Sequence, residues 1–383
     1  MPGPARAGRF DIADIVRDHR AALESAYTLS AEQKRALTDI ANCRTAVLGG
    51  HVDVCTTCGY ERERPSYNSC RNRHCPKCQA LAQEKWIEGQ RARMLDVQHF
   101  HVVFTLPAEL RPLAAFAPRV VYDALFHAAA DTLLEFGESR LEAKIGATLV
   151  LHTWTRDLRF HPHVHAIVTG GGLARGESRW KAAHPKFLFP VKAMGLVLRG
   201  KMMDELCDAQ RAGKLAGFDD FRDPEGFERL LARIASKNWN VYAKPSFDNG
   251  RHVLEYLGRY THRVGIANSR LLDVTATSVT FRTKGAGVAT LAPVDFLRRF
   301  VRHLLPRGFH KIRHVGLHGS VKLREVARGK LGQASILPRR FSWRERLGEL
   351  WDLDLCKCPQ CGGLLVAVAL PARRERAPPE LAA

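Results

Sequence analysis

Residues 160–172 read FHPHVHAIVTGGG, and this stretch constrains the fold more than any other. His161, His163 and His165 recur with period two. A strand puts all three imidazoles on one face, with Pro162 and Val164 on the other. The preceding run from Ala147, ATLVLHTWT, is also strand-like, and only a short charged link (Arg156, Asp157, Arg159) separates the two. The pair predicts a hairpin with a histidine-bearing face.

Imidazoles at neighbouring same-face positions can hold one divalent ion between them. A site with few protein ligands leaves coordination positions open, and an ion there polarises a phosphate that fills one. A third ligand is expected. With the turn centred between Leu158 and Arg159, His152 stands opposite His165 on the same face. A slip of one residue would send it to the other face. His161 is the next candidate. Imidazole also suits Zn²⁺ or Mn²⁺, so the residues leave the metal open.

Tyr256 and Tyr260 stand four apart in YLGRYTHR. On the helix expected over residues 250–263 they share a face, with Cβ atoms ~6 Å apart. That spacing alone is ordinary helix packing. However, Arg251, Arg259, His262 and Arg263 surround the pair, and cations favour phenolate character and bind phosphate. A phenol that attacks phosphorus forms a covalent phosphotyrosine, and two on one face allow two successive transfers.

The ten cysteines fall mostly in CxxC or CxC groups, which in a reducing cytoplasm fits zinc better than disulfides. Cys55 and Cys58 form one knuckle, Cys75 and Cys78 another, and together they predict a four-thiolate Zn²⁺ site. Cys70 and His74 lie between them as alternate ligands. Cys356, Cys358 and Cys361 form a third group, a possible second zinc site. Arg62, Arg64, Arg71, Arg73 and Lys77 surround the first knuckles and predict a DNA-contact surface.

Composition agrees. Lys plus Arg number 59 against 39 Asp plus Glu, a formal charge of +20, which favours a polyanionic partner. There is no run of 18 apolar residues, no lipidation motif, no secretory h-region and no GxxxxGK[ST] motif, so membrane, export and ATP are not expected.

Apolar spacing predicts helices over 11–27, from Ser30 (a capping box with Gln33), over 80–95 and from Val120 to a break at Gly137. Further helices are expected over 193–215, 227–235 and 293–305. Strands are expected from His99, over 187–191 and 239–243, and as a hairpin over 271–282. The tail from Arg373 reads as disordered.

These marks together resemble the insertion-sequence-91-type HUH two-tyrosine (rolling-circle) transposases. They are SCRNRHCPKCQ from Ser69, HVVFTLP from His101, LHTWTRDLRFHPHVH from Leu151, YLGRYTHR from Tyr256, LPRGFHKIRHVGL from Leu305 and CPQCGG from Cys358. The resemblance implies an α+β fold: an HUH-nuclease core, with an antiparallel sheet flanked by helices, and an N-terminal zinc-ribbon-like domain. It implies segments at 1–50 (helical), 51–95 (zinc), 96–320 (nuclease core) and 321–383 (basic, with the last cysteines and a disordered tail). It also implies His163 and His165 as ligands of Mg²⁺ or Mn²⁺ and Tyr256 and Tyr260 as nucleophiles; Arg259 and Arg263, by their charge beside the tyrosines, join the expected DNA contacts. The expected activity is nicking and rejoining of single-stranded DNA through 5′-phosphotyrosine, on the nucleoid in the bacterial cytoplasm. A rolling-circle replication or mobilisation initiator shares this chemistry. A non-catalytic zinc-dependent DNA-binding regulator is the alternative of another class.

Overall fold

The computed structural model describes residues 10–247, 265–352 and 354–372. In chain order, α1 (Ile12–Ala26) and α2 (Ala31–Asn42) precede β1 (Gly50–Cys55) and β2 (Ser66–Tyr67). Next come α3 (Ala80–Arg91), β3 (His99–Thr105), α4 (Arg111–Phe116) and α5 (Pro118–Arg140). The hairpin β4 (Ala143–Trp154) and β5 (Phe160–Ala174) is followed by β6 (Trp180–Ala182), α6 (Val191–Arg211), α7 (Gly226–Ala235) and β7 (Val241–Phe247). Last come β8 (Leu271–Val274), β9 (Val279–Arg282), β10 (Val288–Leu291), α8 (Pro293–Val301), β11 (Ile312–Gly316), α9 (Val321–Leu331), α10 (Trp343–Trp351) and β12 (Leu365–Leu370). Among the described residues no helix is long and apolar enough to cross a membrane.

The chain forms two compact units. Residues 1–85, 262–304 and 339–383 make the first; residues 86–261 and 305–338 make the second. The segments expected from sequence were contiguous, whereas the first unit gathers three separated stretches. The fold class is α+β, with sheets antiparallel throughout.

The second unit is built on a sheet of order β11-β4-β5-β3-β7, with β6 added to β5. Strand alternation gives this sheet two different faces. Phe100, Val102 and Phe104 of β3, Leu149 and Leu151 of β4, and Val164, Ala166 and Val168 of β5 share one core with Val121, Leu125 and Leu133 of α5 and Leu198 and Met202 of α6. Each of the larger side chains, the Phe, Val, Leu and Met residues, stabilises by ~1.5–3 kcal/mol relative to exposure. The alternate residues, His152, His163 and His165 among them, take the opposite face. On β11, His314 stands opposite Thr148, whose hydroxyl lies 3.0 Å from Nδ1 of both His314 and the fully buried His318.

In the first unit, Asp11 caps α1, and Ser30 caps α2 with the reciprocal Gln33 contact that the sequence predicts. Two three-stranded sheets follow, of order β12-β1-β2 and β10-β9-β8.

Two expectations need correction, and one unassigned segment gains a place. Helix α5 does not break at Gly137 but runs on to Arg140. A Cβ at Gly137 would sit 3.0 Å from Ile145 Cγ1, so this glycine seats the helix against β4. Residues 187–191 make only an isolated bridge, Phe187 with His184, and Pro190 then caps α6. The segment from His310 contributes β11, an edge strand of the main sheet.

Candidate functional site

The β4–β5 hairpin places the histidines. In its turn, Leu158 takes φ 61° with its side chain buried, and the Thr155 hydroxyl accepts from Arg159 N at 3.0 Å. His152 pairs with His163, and Val150 with His165, followed by an irregularity between His152 and Trp154. The register expected from sequence was displaced by two residues. A displacement of two preserves the face, so His152 still joins the other two. Ring centroids stand 4.3 Å apart for His152 and His165, 4.8 Å for His163 and His165, and 5.5 Å for His152 and His163. One ligand atom from each of the three lies within 4.8 Å of the others. Two nitrogens each ~2.1 Å from one ion can be up to ~4.2 Å apart, so small side-chain movements suffice.

His161 takes a different role. Its Nδ1 accepts from Arg111 Nη2 at 2.8 Å, and it is outside the three-histidine group. His163 Nδ1 donates to the His161 carbonyl at 2.6 Å, which leaves Nε2 as the nitrogen able to act as a metal ligand. His165 Nδ1 meets His101 Nε2 at 2.7 Å, and the two rings stack at 5.0 Å. His101 was not singled out by sequence, although HFH from His99 repeats the period-two spacing of HPHVH. Burial pushes the His163 and His101 imidazoles down to about 4 and holds His152 and His165 well below the usual range. All four are therefore neutral at pH 7, as metal ligation requires.

The cysteines regroup. The structure does not bring Cys55 and Cys58 together with Cys75 and Cys78. Cys75 and Cys78 join Cys70 and Cys43; Cys55 and Cys58 join Cys358 and Cys361. Cys70, an alternate in the sequence reading, is thus a full member of its group. Cys43, at the C-cap of α2, was missed, since it belongs to no CxxC pair. Neither His74 nor Cys356 belongs to a group; His74 N donates to Asn72 Oδ1 at 2.9 Å. Cys70 and Cys78 sulfurs lie 3.7 Å apart, close to the ~3.8 Å edge of a tetrahedron with ~2.3 Å Zn–S bonds. Hydrogen bonding among these four thiols raises Cys75 and Cys70 and lowers Cys78.

Of the predicted DNA contacts, Arg64 and Arg71 are exposed and Arg73 is half-buried. Arg62 Nε lies 3.7 Å from the buried Asp53 carboxylate, and Lys77 pairs with Asp11. Tyr256, Tyr260, Arg259 and Arg263 lie outside the described residues.

A family profile described as "Putative transposase" matches residues 146–325, which include the histidine hairpin. A second, described as "Transposase zinc-binding domain", matches residues 15–106, which include Cys43, Cys70, Cys75 and Cys78. The chain is 41% identical over 377 residues to "Putative transposase y4qJ" of Sinorhizobium fredii, covering 93% of this chain and 94% of that one. It is 33% identical over 290 residues to the transposase for insertion sequence element IS801 of Pseudomonas savastanoi pv. phaseolicola, covering 73% of this chain and 68% of that one. No solved structure matches. Two separate profiles and a relative matched almost end to end agree: the chain belongs to the insertion-sequence-91 type of transposases.

Proposed function

We propose that this transposase nicks and rejoins single-stranded DNA at a divalent ion held by His152, His163 and His165, with Tyr256 and Tyr260 as nucleophiles. The convergence of the three imidazoles carries the reading. The donor set fits an ion: all three rings are neutral, and His163 already has Nδ1 occupied. Imidazole nitrogen matches Mn²⁺ better than Mg²⁺, which takes oxygen. When bound, the ion polarises a phosphodiester oxygen. With Nε2 of His165 as its ligand atom, Nδ1 keeps the proton and donates to His101 Nε2.

The phenolic oxygen attacks phosphorus and the bond to the 3′ oxygen breaks. The phenol gives up its proton and the departing oxygen takes one up. The products are a 5′-phosphotyrosine and a free 3′-OH. One ester replaces another, so the attack reverses on a new 3′-OH without ATP. Arg64, Arg71 and Arg73, with Arg259 and Arg263, bind backbone phosphates, in the bacterial cytoplasm and on the nucleoid.

The test is a single-stranded oligonucleotide carrying the element's end, incubated with the full chain and Mn²⁺. A protein–DNA adduct that resists denaturant is expected, and it disappears in the Tyr256→Phe, Tyr260→Phe double variant. His163→Ala abolishes cleavage and spares DNA binding. Tight binding without an adduct under any divalent ion would overturn the nuclease reading and leave a zinc-dependent DNA-binding protein.

A further inference from the structure

We propose that Cys55, Cys58, Cys358 and Cys361 form a second structural zinc site, a ribbon whose two knuckles come from opposite ends of the chain. This inference is independent of the nicking chemistry. The four ligand atoms lie within 4.8 Å of one another. Cys55 and Cys361 sulfurs are 3.5 Å apart, and Cys58 and Cys358 sulfurs 3.7 Å. Both distances exceed the ~2.05 Å of a disulfide and approach the ~3.8 Å edge of a tetrathiolate zinc tetrahedron.

The two knuckles share three backbone N–H hydrogen bonds at equivalent positions. CTTCG from Cys55 and CPQCG from Cys358 each end in a glycine with positive φ, 72° at Gly59 and 73° at Gly362. Gly59 N donates to Cys55 O at 3.2 Å, and Gly362 N to Cys358 O at 3.0 Å. Cys55 N donates to Tyr60 O at 2.7 Å, and Cys358 N to Gly363 O at 2.8 Å. Thr57 N points at Cys55 Sγ and Gln360 N at Cys358 Sγ, both at 3.4 Å. A backbone N–H aimed at sulfur favours the thiolate that zinc requires. Isolated bridges, Val54 with Glu61 and Lys357 with Leu364, flank the two knuckles in the same way.

The strands beside the knuckles join them. β1 and β12 pair from Gly50 with Leu370 to Cys55 with Leu365. A Cβ at Gly363 would sit 2.5 Å from Thr57 Oγ1 and 3.1 Å from Cys55 Sγ, so glycine there allows the knuckles to close. Asp53, buried, lies 2.8 Å from Arg344 Nη2 and so ties α10 to the same sheet. Cys358 and Cys361 lie outside the residues matched by the zinc-binding profile, 15–106.

Two measurements on the full chain test this. Elemental analysis of the purified protein is expected to give two zinc ions per chain, one for each four-cysteine group. The Cys358→Ser, Cys361→Ser variant should hold one. One zinc in the wild type, or two in the variant, overturns the proposal. Should the variant unfold and lose both ions, alkylation of the wild type decides. Cys58 and Cys361 are exposed, so burial cannot shield them. In reductant they should react slowly with iodoacetamide and rapidly after chelation, as read by peptide mass mapping. Equal rates before and after chelation overturn the site.

Discussion

His101 is not a member of the three-histidine group, yet it governs one of its members. Its stack and hydrogen bond occupy Nδ1 of His165, so under the proposed metal site Nε2 is the nitrogen left to serve as ligand. Removing such a partner weakens metal binding by ~10–100-fold. His101→Ala should therefore raise the Mn²⁺ Kd by that order while leaving the unfolding midpoint in urea nearly unchanged; a shifted midpoint with normal Mn²⁺ affinity would make the residue merely structural. At this scale the sequence was partly readable. Three histidines at period two identify a strand face by themselves. Cys43 offers no such pattern, because its partners are 27 or more residues away and only the fold of the first unit brings them together.

Single elements were legible where local chemistry decides them. The Ser30 capping box and the β4–β5 hairpin followed from residues a few positions apart. Gly137 shows the limit. Glycine lowers helix propensity, but close packing against Ile145 overrides that preference, and no local window contains the fact. Gly137→Ala thus sets a small gain in propensity against overpacking. With a new Cβ 3.0–3.1 Å from Ile145 and the Ala143 carbonyl, overpacking wins. A loss of ~1–3 kcal/mol is expected in denaturant unfolding; an unchanged or raised stability would show that the α5–β4 contact relaxes freely. The strand expected over 187–191 failed for the opposite reason: its apolar run serves a helix start at Pro190.

For the whole molecule, buried histidines set the response to acid. Burial holds His99 and His314 down to about 4, below the ~6.5 of an unfolded chain. As pH falls below ~6.5 the unfolded state takes up protons that the native state refuses, so stability declines until about 4. Thermal unfolding midpoints should drop between pH 7 and pH 5, and less steeply in His314→Gln. An identical slope in that variant would assign the acid sensitivity elsewhere, for instance to loss of thiolate-bound zinc. The division into units was the least legible feature. Periodicity is local, whereas the first unit joins residues 1–85 with residues 339–383. The one available hint was that CTTCG and CPQCG share a terminal glycine that CPKCQ lacks.

That β12 lies beside β1 has a genetic consequence. A frameshift or stop codon upstream of Leu365 removes more than a dispensable tail: it strips β1 of its longer neighbour and leaves only the two-residue β2 alongside. The bared edge would present unpaired amides and carbonyls to other nascent chains. Chains truncated there would then be prone to associate through that edge rather than to remain separate.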